Sequence, residues 1–270
     1  MLYEKVGAET LNLSHWSGWR PKTHSHCRIN CEKLVKEWHC PLFYFIQTGE
    51  TMADQISFKE RVKNTLIYMA PRYKYYFVNY EYLLCSKAFI NEPYYIVSAH
   101  GDNFRHLTGV NSSLSSDEFY EKALDGTLTE ADFDFVKRGQ SEEQVKGSVR
   151  RKINVLPDII NIFSSGTKVE EDFKKNRVSC SFAAGKFTCT LGFSSSVPAK
   201  PMSLLKGNEL DPGKSQYLDL VLRRPAGETQ FDEIIVGNNE ILSDYLEQIR
   251  TLLSDGLLAS LSPTSENDEQ

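Results

Sequence analysis

Basic residues are too few in this chain for a globally basic nucleic-acid binder: 31 Lys and Arg stand against 36 Asp and Glu, a net charge of −5. Phosphate contacts dominate nucleic-acid affinity, so any such site has to be a local patch on an acidic body. Long apolar runs are missing too. No stretch approaches the ~18 residues of a membrane span, so no membrane partner is expected. No basic segment followed by an apolar one opens the chain as a signal peptide would. The six Cys fall at irregular spacing, which excludes the disulfide framework of a small secreted domain. The expected compartment is the reducing cytoplasm. A Walker loop, a dinucleotide fingerprint, a nucleophile elbow and an H-E-x-x-H helix are all absent, which removes the reaction classes they serve. No cofactor is expected.

What is present suits a globular protein. The 270 residues are 40% hydrophobic and 25% charged, with 13 Tyr and 15 Phe to build a core. That length fits one large domain with appendages. The expected division is residues 1–51 as an N-terminal extension, 52–255 as the folded body, and 256–270 as a disordered tail. The extension carries all three Trp (Trp16, Trp19, Trp38) and a His/Cys cluster: His24, His26, Cys27, Cys31, His39 and Cys40. Three readings stay open for it. The ligand types suit zinc, although paired C-x2-C arms are missing. The segment reads equally as a small appendage with buried aromatics. It also reads as upstream sequence preceding a start at Met52, because Gly49-Glu50 can be encoded by a ribosome-binding stretch.

The body alternates helical and strand patterns. Phe58, Val62, Leu66 and Met69 recur on one helical face after Ser57, and Pro71 is expected to close that helix. Aromatic and β-branched runs predict strands over 73–80, 82–90 and 94–99. Ser115-x-x-Glu118 and Ser141-x-x-Gln144 have the form of capping boxes that start two helices. Gly126 ends the first, and Pro157 kinks the second or starts a new helix. Strands over 178–183 and 186–191 flank Ala184-Gly185, an expected hairpin turn. Strands over 217–222 and 231–236 flank Pro225-Ala226-Gly227, and a last helix covers 240–253. Strands separated by helix clusters, without βαβ alternation, predict an α+β fold with an antiparallel sheet.

The densest polar segment is His100-Gly101-Asp102-Asn103-Phe104-Arg105-His106-Leu107-Thr108-Gly109-Val110, expected as a loop after a strand. It holds both His of the body. Metal-free RNA cleavage needs a base for the ribose 2′-hydroxyl, an acid for the departing 5′-oxygen, and cations or amides for the phosphorane charge; His, Arg and Thr can supply these. The plain alternative makes His106 a half-buried residue bonded to backbone and the glycines turn residues. A second basic group, Lys146, Arg150, Arg151 and Lys152, could grip phosphates, or form the solvated face of an amphipathic helix. In Pro201-Met202-Ser203-Leu204-Leu205-Lys206, Ser203 could cap a short helix and Lys206 point at a phosphate; otherwise it is a loop with a buried Leu pair.

Asn103-Phe104-Arg105-His106-Leu107-Thr108-Gly109 resembles the N-F-x-H-L-T-G signature of a phage-associated group. That group is the fourth phage-type family of the barnase–EndoU–colicin–RelE-like (BECR-fold) nucleases. Residues 119–128, the Lys152 helix, Leu191-Gly192-Phe193 and the Pro201–Leu205 element agree in order, so the resemblance covers about residues 53–245. It implies helices packed on a curved, mainly antiparallel β-sheet, and a metal-independent endoribonuclease, toxin-like or phage-encoded. It implies His106 as acid/base, with Thr108, Asn103, Ser203 and Lys206 beside it in the catalytic set. Arg105, Lys146, Arg150 and Lys152 are expected to bind substrate, and no metal site is expected. RNA is the expected partner, with a protein inhibitor or a phage partner as the further expectation. The rival reading is a non-catalytic RNA- or protein-binding member of the same fold. It predicts His106 buried and its hydroxyl neighbours bonded internally.

Overall fold

The computed structural model describes residues 56–261. The expectations for residues 1–51, the start at Met52 and the end of the chain at 262–270 lie outside the described residues. The first helix, α1 (Phe58–Tyr73), starts where Ser57 accepts a hydrogen bond from the Glu60 amide at 2.9 Å. It buries Val62, Leu66, Met69 and Tyr73 on one face. Pro71 does not close it. The chain runs through Pro71 and widens into a π-turn over Lys74–Val78, where Asn79 N–H reaches back to the Lys74 carbonyl at 2.9 Å. The strand expected over 73–80 is therefore helical. Tyr73 and Phe77 stack at 5.3 Å between ring centres in the core, and that packing overrides their β propensity.

Two antiparallel sheets follow. In the first, β1 (Tyr80–Cys85) lies between β2 (Tyr95–Ser98) and β10 (Leu220–Pro225), with β11 (Glu233–Val236) outside β10. In the second the order is β8 (Pro201–Lys206), β7 (Cys189–Phe193), β6 (Phe182–Lys186), β3 (Lys168–Glu171) and β9 (Gln216–Tyr217). A short hairpin, β4 (Lys174–Lys175) with β5 (Val178–Ser179), stands beside them. The outer edge of β2 is stitched to the approach to β8: Ala199 accepts from Ser98 N–H at 3.0 Å and donates to the Ile96 carbonyl at 2.8 Å. The expected turn at Ala184-Gly185 lies inside β6 instead, and the reversal falls at Phe187-Thr188. Gly185 is there for close approach, because a Cβ would meet Leu210 at 2.8 Å.

One buried core joins α1, α2 (Gly101–Thr108), α3 (Ser116–Leu124) and α4 (Glu142–Val155) to residues of both sheets. Strand period two sorts the residues. Tyr82 and Leu84 of β1, with Leu191 of β7 and Leu204 of β8, face this main core. Leu83 and Cys85 face the opposite side, where α5 (Asn239–Ile249) brings Leu242 and Ile249. Both capping boxes form their first bond: Ser115 accepts from Glu118 N–H at 3.1 Å and Ser141 from Gln144 N–H at 3.3 Å. After α5 a 3-10 turn leads to α6 (Asp255–Ser260). That helix occupies the start of the segment expected as a tail, with Leu257, Leu258 and Leu261 packed on the outer cluster. The architecture is α+β with mainly antiparallel sheets, as the alternation of patterns implies. Among the described residues no helix is long and apolar enough to cross a membrane.

Candidate active site

The polar segment expected as a loop is the helix α2, ended by Gly109 in the left-handed region at φ 78°. Its geometry divides the motif. Phe104 and Leu107 are fully buried and anchor the helix; each such side chain contributes on the order of 1.5–3 kcal/mol. Asn103 is buried, and its Oδ1 accepts from the His100 N–H at 2.9 Å across the first turn. Thr108 is 0% exposed. Its hydroxyl donates to the Arg105 carbonyl at 2.7 Å and accepts from Val110 N–H at 3.3 Å. The Arg105 guanidinium donates to the Leu114 carbonyl, tying α2 to the approach of α3. Asn103, Thr108 and Arg105, expected to act on substrate, therefore hold the helix and its cap. The reason is angular: 103, 104, 107 and 108 lie on the face turned to the core.

His106 is left facing outward, exposed in the last turn. His100, the other body His, lies at the N-cap six residues earlier, roughly 9 Å away along the axis and well round the helix. The two imidazoles do not form a pair.

Lys152 comes to His106 from α4. Its Nζ donates to the His106 backbone carbonyl at 3.2 Å, one of the carbonyls a helix end leaves without an intrahelical donor. Its stem passes Gly109 so closely that a Cβ there would lie 3.0 Å from Lys152 Cδ. Glycine at 109 thus serves both the left-handed cap and the passage of the lysine. Lys152 is half-buried. Burial pushes its ammonium down to about 8, and the charge of Lys137 pushes the same way. Burial lowers Lys137 as well. Lys137 was not singled out from sequence. Its only signal was Lys137-Arg138 just ahead of the Ser141 box.

The expected basic group on α4 does not act as one patch. Lys146 pairs with Glu142 at 2.8 Å and lies 5.9 Å from the centre of the Phe135 ring. Arg150 lies over Phe58 at 5.0 Å. Lys152 is two residues beyond Arg150, about 200° round the helix. Lys146 and Arg150 are therefore occupied on the face toward α1, and only Lys152 faces the motif.

Both α2 and α4 pack on β8, so three elements expected to form the site do converge. The segment 201–206 is a strand, and no short helix starts at Ser203. Alternation then separates its two candidates. Ser203 is paired with Gly192, whose Cβ position points at Cys180 on the outer side. Lys206 is paired with Cys189, a residue of the main core. Lys206 lies on the side of the helices and Ser203 on the side away from them.

Elsewhere a cleft of about 380 Å3 is lined by Ser181, Ser194, Ser195, Ser196, Asp172 and Glu92 among others, with no Lys, Arg or His in its lining. It offers a phosphodiester no positive charge. Among the described residues no three His, Cys, Asp or Glu side chains stand together as a metal-ligand set.

Residues 65–188 match the model of the family described as phage-Barnase-EndoU-ColicinE5/D-RelE like nuclease 4. No curated protein and no solved structure matches the chain. The matched segment holds His106, Lys137 and Lys152 and stops at the β6–β7 turn. Ser203 and Lys206 lie beyond it, so the resemblance read over 53–245 is narrower at both ends.

Proposed function

Residues 65–188 being a domain of this phage-type nuclease family, we propose that the chain is a metal-independent endoribonuclease of a phage or mobile element. In this reading His106 and Lys152 are its reacting pair. The observation that carries it is the Lys152 amine at 3.2 Å from the His106 carbonyl. It places an exposed imidazole and an amine held at about 8 on one helix end. A general acid or base works best when it titrates near the operating pH. The other residues of the motif support that end from within.

In the proposed reaction the His106 imidazole takes the proton from a ribose 2′-hydroxyl. The freed oxygen attacks phosphorus and the bond to the 5′-oxygen breaks. The Lys152 ammonium neutralises the charge gathering on the phosphorane and gives its proton to the departing 5′-oxygen. Products are a 2′,3′-cyclic phosphate and a 5′-hydroxyl. Lys137 adds positive charge beside Lys152, and Lys206 approaches on the same side of the sheet. The reading of the chain as a non-catalytic binder is disfavoured by the exposure of His106 and favoured by the internal bonds of Thr108.

The test is cleavage of end-labelled RNA in the presence of EDTA by wild type, His106→Ala and Lys152→Arg. His106→Ala should lose at least about a hundredfold in rate with an unchanged melting temperature. Wild-type rate should fall above pH 8, where Lys152 loses its proton. Lys152→Arg, whose charge does not titrate in that range, should lack this limb. RNA left intact by folded wild type, or His106→Ala cutting at full rate, would sink the proposal.

A further inference from the structure

The outer edge of the first sheet is only partly closed. Alternate residues of an antiparallel strand turn their backbone groups to opposite edges. In β2, Ile96 and Ser98 turn theirs away from β1, because Ala199 accepts from the Ser98 N–H at 3.0 Å and donates to the Ile96 carbonyl at 2.8 Å. Tyr95 and Val97 therefore bond to their partners Leu84 and Tyr82 of β1, and Tyr94 is next on the outer edge. A parallel ladder running on from Ala199 would bring the Val197 carbonyl to the Ile96 N–H. That bond does not form. Among the described residues the Ile96 N–H and both backbone groups of Tyr94 have no hydrogen-bond partner. Tyr94 and Ile96 instead line the cleft of about 380 Å3, together with Ser194, Ser195, Ser196 and Val197.

An unpaired strand edge is a template for another chain. An extended peptide satisfies it with main-chain bonds, and its alternate side chains enter the flanking pockets. The surroundings select the kind of peptide. Glu92 and Asp172 line the cleft, and no Lys, Arg or His does. A third carboxylate, Glu171, is spent on local order. It accepts from the Ile90 and Asn91 amides at 2.8 and 2.9 Å and from the Tyr95 hydroxyl at 2.6 Å, which fixes the turn that leads into the edge. Asp172 Oδ2 accepts from Asn91 Nδ2 at 3.1 Å. Among the described residues neither Asp172 nor Glu92 forms an ion pair. Apolar surface adjoins these charges: Val197 is 94% exposed, and Ile90, next to the lining residue Asn91, is 88% exposed. Unpaired carboxylates repel a phosphate backbone and attract a cationic side chain.

We infer that this cleft docks an extended basic segment of a partner protein. The segment adds to the outer edge of β2 at Tyr94 and Ile96, and its Lys or Arg side chains meet Glu92 and Asp172. Its apolar side chains cover Val197 and Ile90. Docking at this edge is independent of whether the chain cuts RNA at α2.

The experiment titrates the isotope-labelled full chain with a blocked six-residue peptide of alternating Arg and Val, followed by amide NMR. The Tyr94 and Ile96 amide resonances are expected to move downfield as they gain acceptors. Two further peptides carry N-methyl groups on the odd or on the even amides. One should lose binding and the other keep it, because only alternate amides of an added strand face the edge. A peptide of alternating Glu and Val should not bind. Glu92→Gln and Asp172→Asn are each expected to weaken binding by about threefold; Asn accepts the positive φ of 52° at position 172. Tyr94 and Ile96 resonances unmoved at millimolar Arg–Val peptide overturn the inference. So does equal binding of both methylated peptides, which leaves charge attraction without strand addition, and so does binding indifferent to both carboxylate variants. Concentration-dependent shifts of the same two amides without peptide assign the edge to a second copy of the chain and overturn it as well.

Discussion

Replacing Lys152 by Met should make the protein more stable at neutral pH while ending catalysis. In the folded chain burial holds the amine at about 8 against the ordinary 10.5. The sign follows from linkage. The folded state binds the proton less tightly than the unfolded chain, so the penalty is full below pH 8. It shrinks as pH rises from 8 toward 10.5, where the unfolded chain also releases its proton. A depression of that size corresponds to on the order of 3 kcal/mol. Two features reduce it. The Lys152 side chain as a whole is only half-buried, and Met would leave the His106 carbonyl without its donor, a loss of about 1 kcal/mol. A net gain of about 2 kcal/mol is expected at pH 6.5, or ~4–8 °C in melting temperature for a domain of this size.

The assay is paired melts by circular dichroism at pH 6.5 and pH 10. Every other titrating group is common to both proteins and cancels in the difference. The gap should shrink by most of its value at pH 10. A variant no more stable than wild type at pH 6.5, or a gap that does not change with pH, would refute the argument that Lys152 is held against its solvation preference. A residue that destabilises the fold where chemistry is proposed is what a stability–function trade-off predicts.

Gly109→Ala should cost about 1–2 kcal/mol from the left-handed backbone alone. It should also slow cleavage, because the new methyl would press on Lys152 Cδ at 3.0 Å; the denaturation midpoint and the cleavage rate read the two effects separately. Thr108→Val keeps the volume and removes a hydroxyl with two internal hydrogen bonds, so it should lower stability by about 1 kcal/mol and leave KM unchanged. A variant of unaltered stability with a collapsed rate would instead place that hydroxyl on the substrate. Gly101→Ala would drive a methyl into the Tyr120 ring, so a loss of about 1–3 kcal/mol is expected from overpacking, read from the urea midpoint.

Local signals were legible wherever the deciding physics is local. Ser57, Ser115 and Ser141 start their helices because a side-chain oxygen three residues ahead of an amide can satisfy it with no help from the rest of the fold. The turn between β10 and β11, and the end of α4 just before Pro157, which sits in the first turn of the 3-10 segment Leu156–Asn161, were equally readable. The misreadings share a cause. Tyr73 and Phe77 favour a strand in isolation and are helical because their rings are needed in the core. Ala184-Gly185 looks like a turn but lies inside β6, where Gly185 is needed because Leu210 and Asn208 press on the strand at that position.

The sequence by itself determined the α+β class, the helix starts, the inward faces and the motif that carries His106. Only the tertiary structure decided which residues meet. A residue's direction along a helix or strand follows from its number, but what lies opposite depends on elements far along the chain. Angular position on α2 turned Asn103 and Thr108 inward and left His106 outside. Rotation of about 200° on α4 parted Lys152 from Arg150 and set it under the His106 carbonyl. Strand alternation on β8 kept Lys206 on the helix side and sent Ser203 to the other. Burial, which moves the Lys152 amine toward neutrality, is a property of everything packed around it, and no spacing in the sequence records it.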